Sequence, residues 1–362
     1  MELINKYLDE ITQQKEKVTV VLVTNVDNQT NEFEDYHNNS LISEYLSESE
    51  LEVLNQGFEN FGFRTIIHFD ETEFIQKVAT SKHPILKRNH IGIVLSMAQK
   101  GKKIGRKSLL PAFCDLYNLK YTSSNPYTVS LCRNKYHSGI LLKQHGILVP
   151  ESWLYTKKGW LFEQKPPQGC RVIIKLNNES ASIGIDQNNI INYESSDDLM
   201  IEQLCIEYGQ EIIVQAFIEG YEVEHPVVVD KEITPLIPMG VQLNDSRNLS
   251  DQILTYEIRG KDQYSFYNYS TENQVINAKL IETTAAVAEV LGITGFGRVD
   301  YRINQKNEFF VTDIATNPHI VKHSSFHQSF IELGYTYNEM LATFVAITIS
   351  KYDLGFRPEL NI

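Results

Sequence analysis

The stretch "RVIIKLNNESASIGI", residues 171–185, decides how this chain is read. Val172, Ile173 and Ile174 form a β-branched run of the kind found in strands buried on both faces. Lys175 closes that run. Small and polar residues follow, among them Ser180, Ala181, Ser182 and Gly184, and they read as a loop. A lysine in this place has two readings. It is a strand-end charge in water, or it reaches back over a loop that holds an anion.

The rest of the chain sets the frame. Its 362 residues suggest two or three domains. Hydrophobic residues make up 42% and charged residues 22%, a globular composition. There is no fixed-period repeat, and the collagen-like, disordered and repeat classes do not fit. The formal charge is -13, and the densest basic run, "QKGKKIGRK" at 99–107, reads as a solvated loop rather than a nucleic-acid face. A small anionic ligand needs only a local basic pocket. Cys114, Cys132, Cys170 and Cys205 fit no zinc or redox spacing and no small disulfide framework. The N-terminus "MELINKYLDEITQQ" carries charges among its apolar positions, unlike a signal peptide. No run of 18 apolar residues exists to span a membrane. The expectation is a soluble cytoplasmic protein with reduced thiols and with neither nucleic acid nor membrane as partner.

Along the chain, residues 2–14 suit an amphipathic helix, and "KVTVVLVTNV" suits a buried parallel strand. A helical stretch from Leu41, the strands "FRTIIHFD" and "HIGIVLSMA", a helix over 108–117 and "LKYTSS" complete an open α/β half. Residues 127–145 suit one helix, which "HGILVP" ends before starting a strand. "RVIIKL", "NNIINYE", "EIIVQAFI", "EVEHPVVVD" and "EITPLIPMGVQL" are further strands. "SSDDLMIEQLCIEYG" suits a helix capped by Ser195 or Ser196. Two more helices lie in "VINAKLIETTAAVAEVLGI" and "YNEMLATFVAITISKY". The division expected is 1–124, an α/β substrate domain; 125–208, a central subdomain; and 209–362, a back subdomain.

A second chemical region is "GFGRVDYRINQKNEFFVTDIATNP", residues 295–318. Two alternating runs flank the polar "NQKNE". A two-residue turn at Lys306 and Asn307 would set Asp300 opposite Asp313, with Cβ atoms roughly 5 Å apart. Two facing carboxylates repel unless a cation or basic neighbours compensate. The pair is either part of a solvated hairpin or a site for Mg²⁺, which takes oxygen ligands. Arg298 shares the face of Asp300 and suits a bidentate clamp on phosphoryl or carboxylate groups. The plainer alternative is a salt bridge to one aspartate.

Together the two regions resemble the ATP-grasp carboxylate–amine ligases, most closely the D-alanine–D-alanine ligase branch, over roughly residues 120–348. The resemblance implies a mixed α/β and α+β fold, with an open α/β domain ahead of two subdomains that hold ATP between antiparallel sheets. It implies Mg²⁺ or Mn²⁺, an acyl-phosphate intermediate, small-molecule carboxylate and amine substrates, and a homodimer. By the same likeness, Lys135 and Lys175 are nucleotide lysines, and "NNESASIG", with Ser182, is a mobile loop over the phosphates. Gln215, Ile218 and Glu222 hold adenine and ribose. Arg259 stands where the family brings a lysine to the phosphates. Arg298 stabilises the transferred phosphate, Asp300 and Asp313 are metal carboxylates, and Ser324 helps bind the substrate carboxylate.

Several positions depart from the family pattern. Ala315 replaces a ligating asparagine, leaving Asn317 or water to complete the metal shell. His319 replaces a glycine at the oxyanion position, and Ala181 replaces the first serine of the loop. "KIGRKSLLP" occupies the place of the front domain's usual glycine and acidic signature. His319 and His323 are the candidate proton acceptors, since an unshifted imidazole titrates near neutrality. The expected function is an ATP-dependent ligase joining a carboxylate, an amino acid, to an amine. A true D-alanine–D-alanine ligase and a non-catalytic ATP-binding scaffold are the alternatives.

Overall fold

Val18–Val23 is buried along its whole length, and its alternate residues serve two different cores. Val18, Val20 and Leu22 pack with Ile4, Ile11 and Phe58. Val21 and Val23 pack with Phe74, Val78 and Leu110. A strand covered by helices on both faces is apolar at nearly every position, here all but Thr19, which is why the run shows no alternation. In the computed structural model this strand lies in a front sheet of four parallel strands. Their order is Arg64–His68, Val18–Val23, Ile91–Ser96, Lys120–Tyr121. The structure describes residues 2–29, 34–86, 91–102, 104–272 and 274–352. Lys103 of the basic run, His90 of the third strand stretch and the end of the chain from 353 lie outside the described residues.

Local signals fix the helices around this sheet. Helix Glu48–Phe61 starts at a capping box, in which Ser47 and Glu50 each satisfy the other's backbone N–H, and stops at Gly62 with φ +112°. The helix expected over 127–145 is two helices, Pro126–Arg133 and Lys135–Gln144. Asn134 ends the first and caps the second, its Oδ1 accepting from His137 N at 2.9 Å. The stretch "HGILVP" ends the second helix, but the strand begins later, at Ser152. The helix expected to start at a serine cap runs Asp198–Tyr208, after a 3-10 turn that takes up both Ser195 and Ser196.

Two antiparallel sheets make up the rest. The central sheet orders Gly159–Trp160, Ser152–Thr156, Ile212–Ala216, Arg171–Leu176, Ile190–Asn192. The back sheet orders Ser265–Asn268, Met239–Gln242, Tyr221–Val229, Gly295–Ile303, Phe309–Ala315, with Ile233–Pro235 paired to Tyr221–Val229. In the back sheet the period of two separates core from cleft. Val223, Val227, Val299, Tyr301 and Ile303 pack on helix Gln274–Leu291 through Leu280 and Val287. Glu222, Arg298, Asp300 and Arg302 point the other way and line a cleft. No helix among the described residues is long and apolar enough to cross a membrane, and all four cysteines are free thiols.

Candidate active site

The cleft lies between the facing strands of the central and back sheets. Asp300 and Asp313 are cross-strand partners, as expected, but by a different route. Pairing starts at Ile303 and Phe309, one residue out of the expected register, because the tip is longer than two residues and Asn307 takes φ +63°. A bulge at Thr312 then adds one residue to the second strand and restores the pair. The Thr312 hydroxyl donates to Asp300 O at 3.2 Å, which holds the bulge. One strand inward, Glu224 pairs with Asp300. Three carboxylates therefore stand in a row across three strands.

Basic groups interleave with that row. Arg298 donates to both Asp300 oxygens, Nε to Oδ1 and Nη2 to Oδ2, each at 2.7 Å. Its third nitrogen, Nη1, lies 2.8 Å from Glu224 Oε2, and Arg259 Nη2 lies 3.6 Å from Glu224 Oε1. The salt bridge foreseen as the plainer role of Arg298 is thus present. Burial pushes the Asp300 carboxyl up to about 7; Arg298 pulls it down, and Glu224 and Asp313 add to the rise. Burial also opposes the charge on Asp313, yet Lys135, Lys175 and Arg298 outweigh it and hold that carboxyl below its ordinary range. Two adjacent carboxylates offering only oxygen, one of them under-compensated, suit a hard divalent cation. Among the described residues, no cluster of three or more His, Cys, Asp or Glu is arranged to hold a metal.

The opposite wall answers the question raised by Lys175. Its side chain lines the cleft and makes no hydrogen bond among the described residues. Burial and the neighbouring Lys135 push its pKa down to about 8, against the pull of Asp313 and Glu222. A buried ammonium without a partner is costly unless an anion arrives. Lys135 is placed by the helix break at Asn134. It heads the second helix, where Asn177 accepts from Lys135 N at 3.1 Å and from Tyr136 N at 3.0 Å. Its ammonium donates to Glu179 O at 2.8 Å and to Asp313 Oδ1 at 2.9 Å.

Gln215 donates to Ser152 Oγ at 3.2 Å, and its own buried Oε1 has no partner. That oxygen suits a donor such as an exocyclic amine on a bound base. Ile218 and Glu222 line the same end, with Glu222 Oε2 3.2 Å from Arg302 Nη1. The serine-rich loop crosses the cleft with Ala181 and Ser182 both left-handed, at φ +52° and +56°. Such backbone costs about 1–3 kcal/mol per residue and persists only where the surroundings impose it. Ser182 Oγ donates to Leu254 O, which ties the loop across to the back half.

Arg298, Arg259, Ser182, Lys135, Lys175, Gln215, Ile218, Glu222, Asp300, Asp313 and Asn317 all line this one cleft. Three expected residues do not. His323 bonds Asp262 Oδ1 at 2.9 Å and Tyr264 O at 3.1 Å, so both ring nitrogens are engaged. Ser324 caps helix Ser325–Glu332, donating to Val321 O and accepting from His327 N. His319 is exposed yet lies within electrostatic reach of the cleft arginines. The protein packed around its exposed ring disfavours the charged form and lowers its pKa; Glu50 opposes this, while Arg298, Arg259 and Lys107 add to it. The sequence did not single out Glu224, Arg302, Arg133 or Lys107. Glu224 and Arg302 had a signal in the alternation of "YEVEH" and "RVDYR". Lys107 stood with Arg106 in the basic run read as a solvated loop, a reading the structure corrects by burying both against Glu44; Arg133 had no signal, because distant segments bring it to the site.

Residues 137–346 match the family described as D-ala D-ala ligase C-terminus. Among curated relatives, the D-alanine–D-alanine ligase of Natranaerobius thermophilus is 22% identical over 84% of this chain and 82% of its own length. D-alanine–D-alanine ligase B of Clostridium perfringens is 21% identical over 78% and 90%. Among solved structures, the D-alanine–D-alanine ligase of Bacillus anthracis complexed with ATP superposes with a TM-score of 0.68 at 14% identity, covering 93% of this chain and 99% of that one. The VanG D-Ala:D-Ser ligase of Enterococcus faecalis gives 0.64 at 17%, covering 92% and 99%.

Proposed function

Because this chain belongs to the D-ala D-ala ligase family and is an ATP-dependent ligase, we propose that it joins two amino acids in the manner of a D-alanine–D-alanine ligase, with D-alanine as one substrate. The observation that carries this reading is the charge arrangement of the cleft. Lys175, without a side-chain partner among the described residues, and an Asp313-bound Lys135 face a pair of aspartates held in register by the bulge at Thr312. The names of the relatives support D-alanine. The setting that goes with this reading is a cytoplasmic homodimer acting on small molecules.

The adenine end falls to Gln215 and Ile218, the ribose to Glu222, and the phosphates to Lys135 and Lys175. Asp300 and Asp313, with Asn317 or water, would hold Mg²⁺, which would supply charge neutralisation at the phosphoryl oxygens. A substrate carboxylate oxygen attacks the γ-phosphorus of ATP, and ADP leaves. Lys175, Arg259 and Arg298 offset the charge that builds on the transferred group. The amine of the second substrate then attacks the acyl carbon, phosphate leaves, and the amine proton is taken up. His319, outside the cleft lining but within electrostatic reach of Arg298 and Arg259, is the candidate acceptor. The serine-rich loop keeps water from the acyl phosphate.

The test is ADP formation with Mg·ATP and D-alanine, with the product identified by mass. Dipeptide formation supports the reading. ATP binding without substrate-stimulated ADP release from any amino-acid pair would favour a non-catalytic scaffold instead. Asp313→Asn should lower the rate at least about 100-fold, beyond the 10–100-fold typical of residues one shell further out. A rate within threefold of wild type would remove Asp313 from the site.

A further inference from the structure

The corner of the cleft beneath the serine-rich loop holds a buried charge cluster that the reaction above does not use. Arg106 Nη2 lies 2.6 Å from Glu44 and 2.7 Å from Glu179. Lys107 Nζ lies 3.2 Å from Glu44 and donates to Ser180 Oγ at 2.7 Å. Arg133 Nη2 lies 3.3 Å from Glu179. Three cations thus face two carboxylates, leaving one positive charge in excess. The uncharged groups present do not offset it: the Tyr36 hydroxyl donates to Glu179 at 2.8 Å, and Gln210 donates to that hydroxyl.

The hydrogen bonds leave the same remainder. Arg133 is buried to more than nine-tenths, lines the cleft, and has two nitrogens, Nε and Nη1, without a partner. Beside it, Asn178 lines the cleft with both side-chain polar atoms unpaired. Arg106 Nε is a further orphan. Of these five orphaned atoms four are donors. Orphaned donors in a wall of excess positive charge are complementary to an anion. Lys107 lines the cleft next to them. Of the phosphate-side lysines, Lys135 touches the edge of this cluster through Glu179 O and is already committed to Asp313, and Lys175 makes no hydrogen bond to it among the described residues.

We propose that Arg133, Lys107 and Asn178 form a subsite for a second carboxylate, so that one of the two substrates is an amino acid with an acidic side chain. This rests on the ligase reading of the same cleft. An oxyanion could also come from the nucleotide's own phosphates, and the experiment separates the two sources.

The probes are D- and L-glutamate against D- and L-glutamine, and aspartate against asparagine, each pair nearly equal in shape and different in charge. Binding to the full chain is measured calorimetrically, with and without Mg²⁺ and a non-hydrolysable ATP analogue, and ADP formation is followed in parallel. The expected result is an acid bound at least about tenfold tighter than its amide, consistent with charge-assisted hydrogen bonds. Arg133→Met should abolish that preference and leave the affinity for the analogue within twofold. Lys107→Met, at a less buried position, gives the same reading should the arginine variant fail to fold. Equal binding of acid and amide overturns the proposal. So does a preference that survives both variants, or a loss of analogue affinity in place of acid preference, which would assign the corner to phosphate. Dipeptide formation from D-alanine with no acid preference would sink the subsite and leave the ligase reading standing. Tight acid binding without ADP release in any mixture would do the reverse.

Discussion

Glu224 is the most consequential single charge in the back sheet. It is 1% exposed and lies between two guanidinium groups, Arg298 and Arg259. Glu224→Gln keeps the volume and removes the charge. Removing one partner of a buried pair costs about 3–5 kcal/mol. Two features reduce that here. Arg298 keeps its bidentate bond to Asp300, whose carboxyl ionises more readily once the Glu224 charge is gone. Arg259 is a quarter exposed and regains some water. The expected loss is therefore about 2–3 kcal/mol, read by urea unfolding at pH 7 without nucleotide, followed by far-UV circular dichroism. Glu222→Gln is the internal comparison. Its partner Arg302 also donates to the backbone oxygens of Ile218, Ser250 and Gln252, so this change should cost only about 1 kcal/mol. If Glu224→Gln falls within about 0.5 kcal/mol of wild type, or if Glu222→Gln proves the costlier, then the row of charges is not held together as described.

Two further perturbations act away from the charge row. Gly220 has φ +136°, and a Cβ there would lie 2.0 Å from Ile303 O, so Gly220→Ala should cost more than about 3 kcal/mol. Gly146→Ala, with φ +76° and open space around it, should cost only about 1 kcal/mol; similar losses at the two sites would discredit the contact. In the front domain, His68 Nε2 and His83 Nε2 lie 2.9 Å apart, with Glu73 and Lys77 as charged neighbours. Burial pushes His83 down to about 4 and lowers His68 as well. Unfolded imidazoles titrate near 6.5, so the unfolded chain binds more protons between pH 6.5 and 4. Stability present above pH 6.5 is therefore lost on acidification, by about 3 kcal/mol for His83 alone. His83→Asn should flatten the curve of stability against pH in that window, and an unchanged slope would exclude the pair as its source.

The elements of this fold were legible where a pattern was local. The nearly continuous apolar run of Val18–Val23 and the alternation of "GRVDYR" follow from which faces are buried, and the structure keeps both. The single helix over 127–145 was not legible as two. In a single helix Asn134 would be an interior residue; its extended backbone, with ψ 96°, and the contacts of Asn177 with the second helix's first N–H groups mark the break. The Asp300–Asp313 pair was legible through two errors that cancel, a tip longer than assumed and a bulge at Thr312 that a pattern of period two does not reveal. Ser324 was singled out by likeness and His323 by the near-neutral titration of a free imidazole, and in this chain a helix cap and an Asp262 contact occupy them. Arg106 and Lys107 showed only as part of a basic run, and Glu44 and Arg133 carry no local signal, since each acquires its role only when distant segments meet.

That meeting has a consequence for how the gene can be recombined. The loop 178–182 belongs in sequence to the central sheet, yet Glu179 and Ser180 find their partners in Tyr36, Glu44, Arg106 and Lys107 of the front domain. A chimaera joined between Tyr121 and Pro126 would inherit one half of this cluster from each parent. Buried carboxylates and guanidinium groups would then face strangers, although every secondary-structure element was intact. The fragment to be exchanged as one piece includes the front domain and loop 178–182 together, an inheritance that the order of the chain conceals.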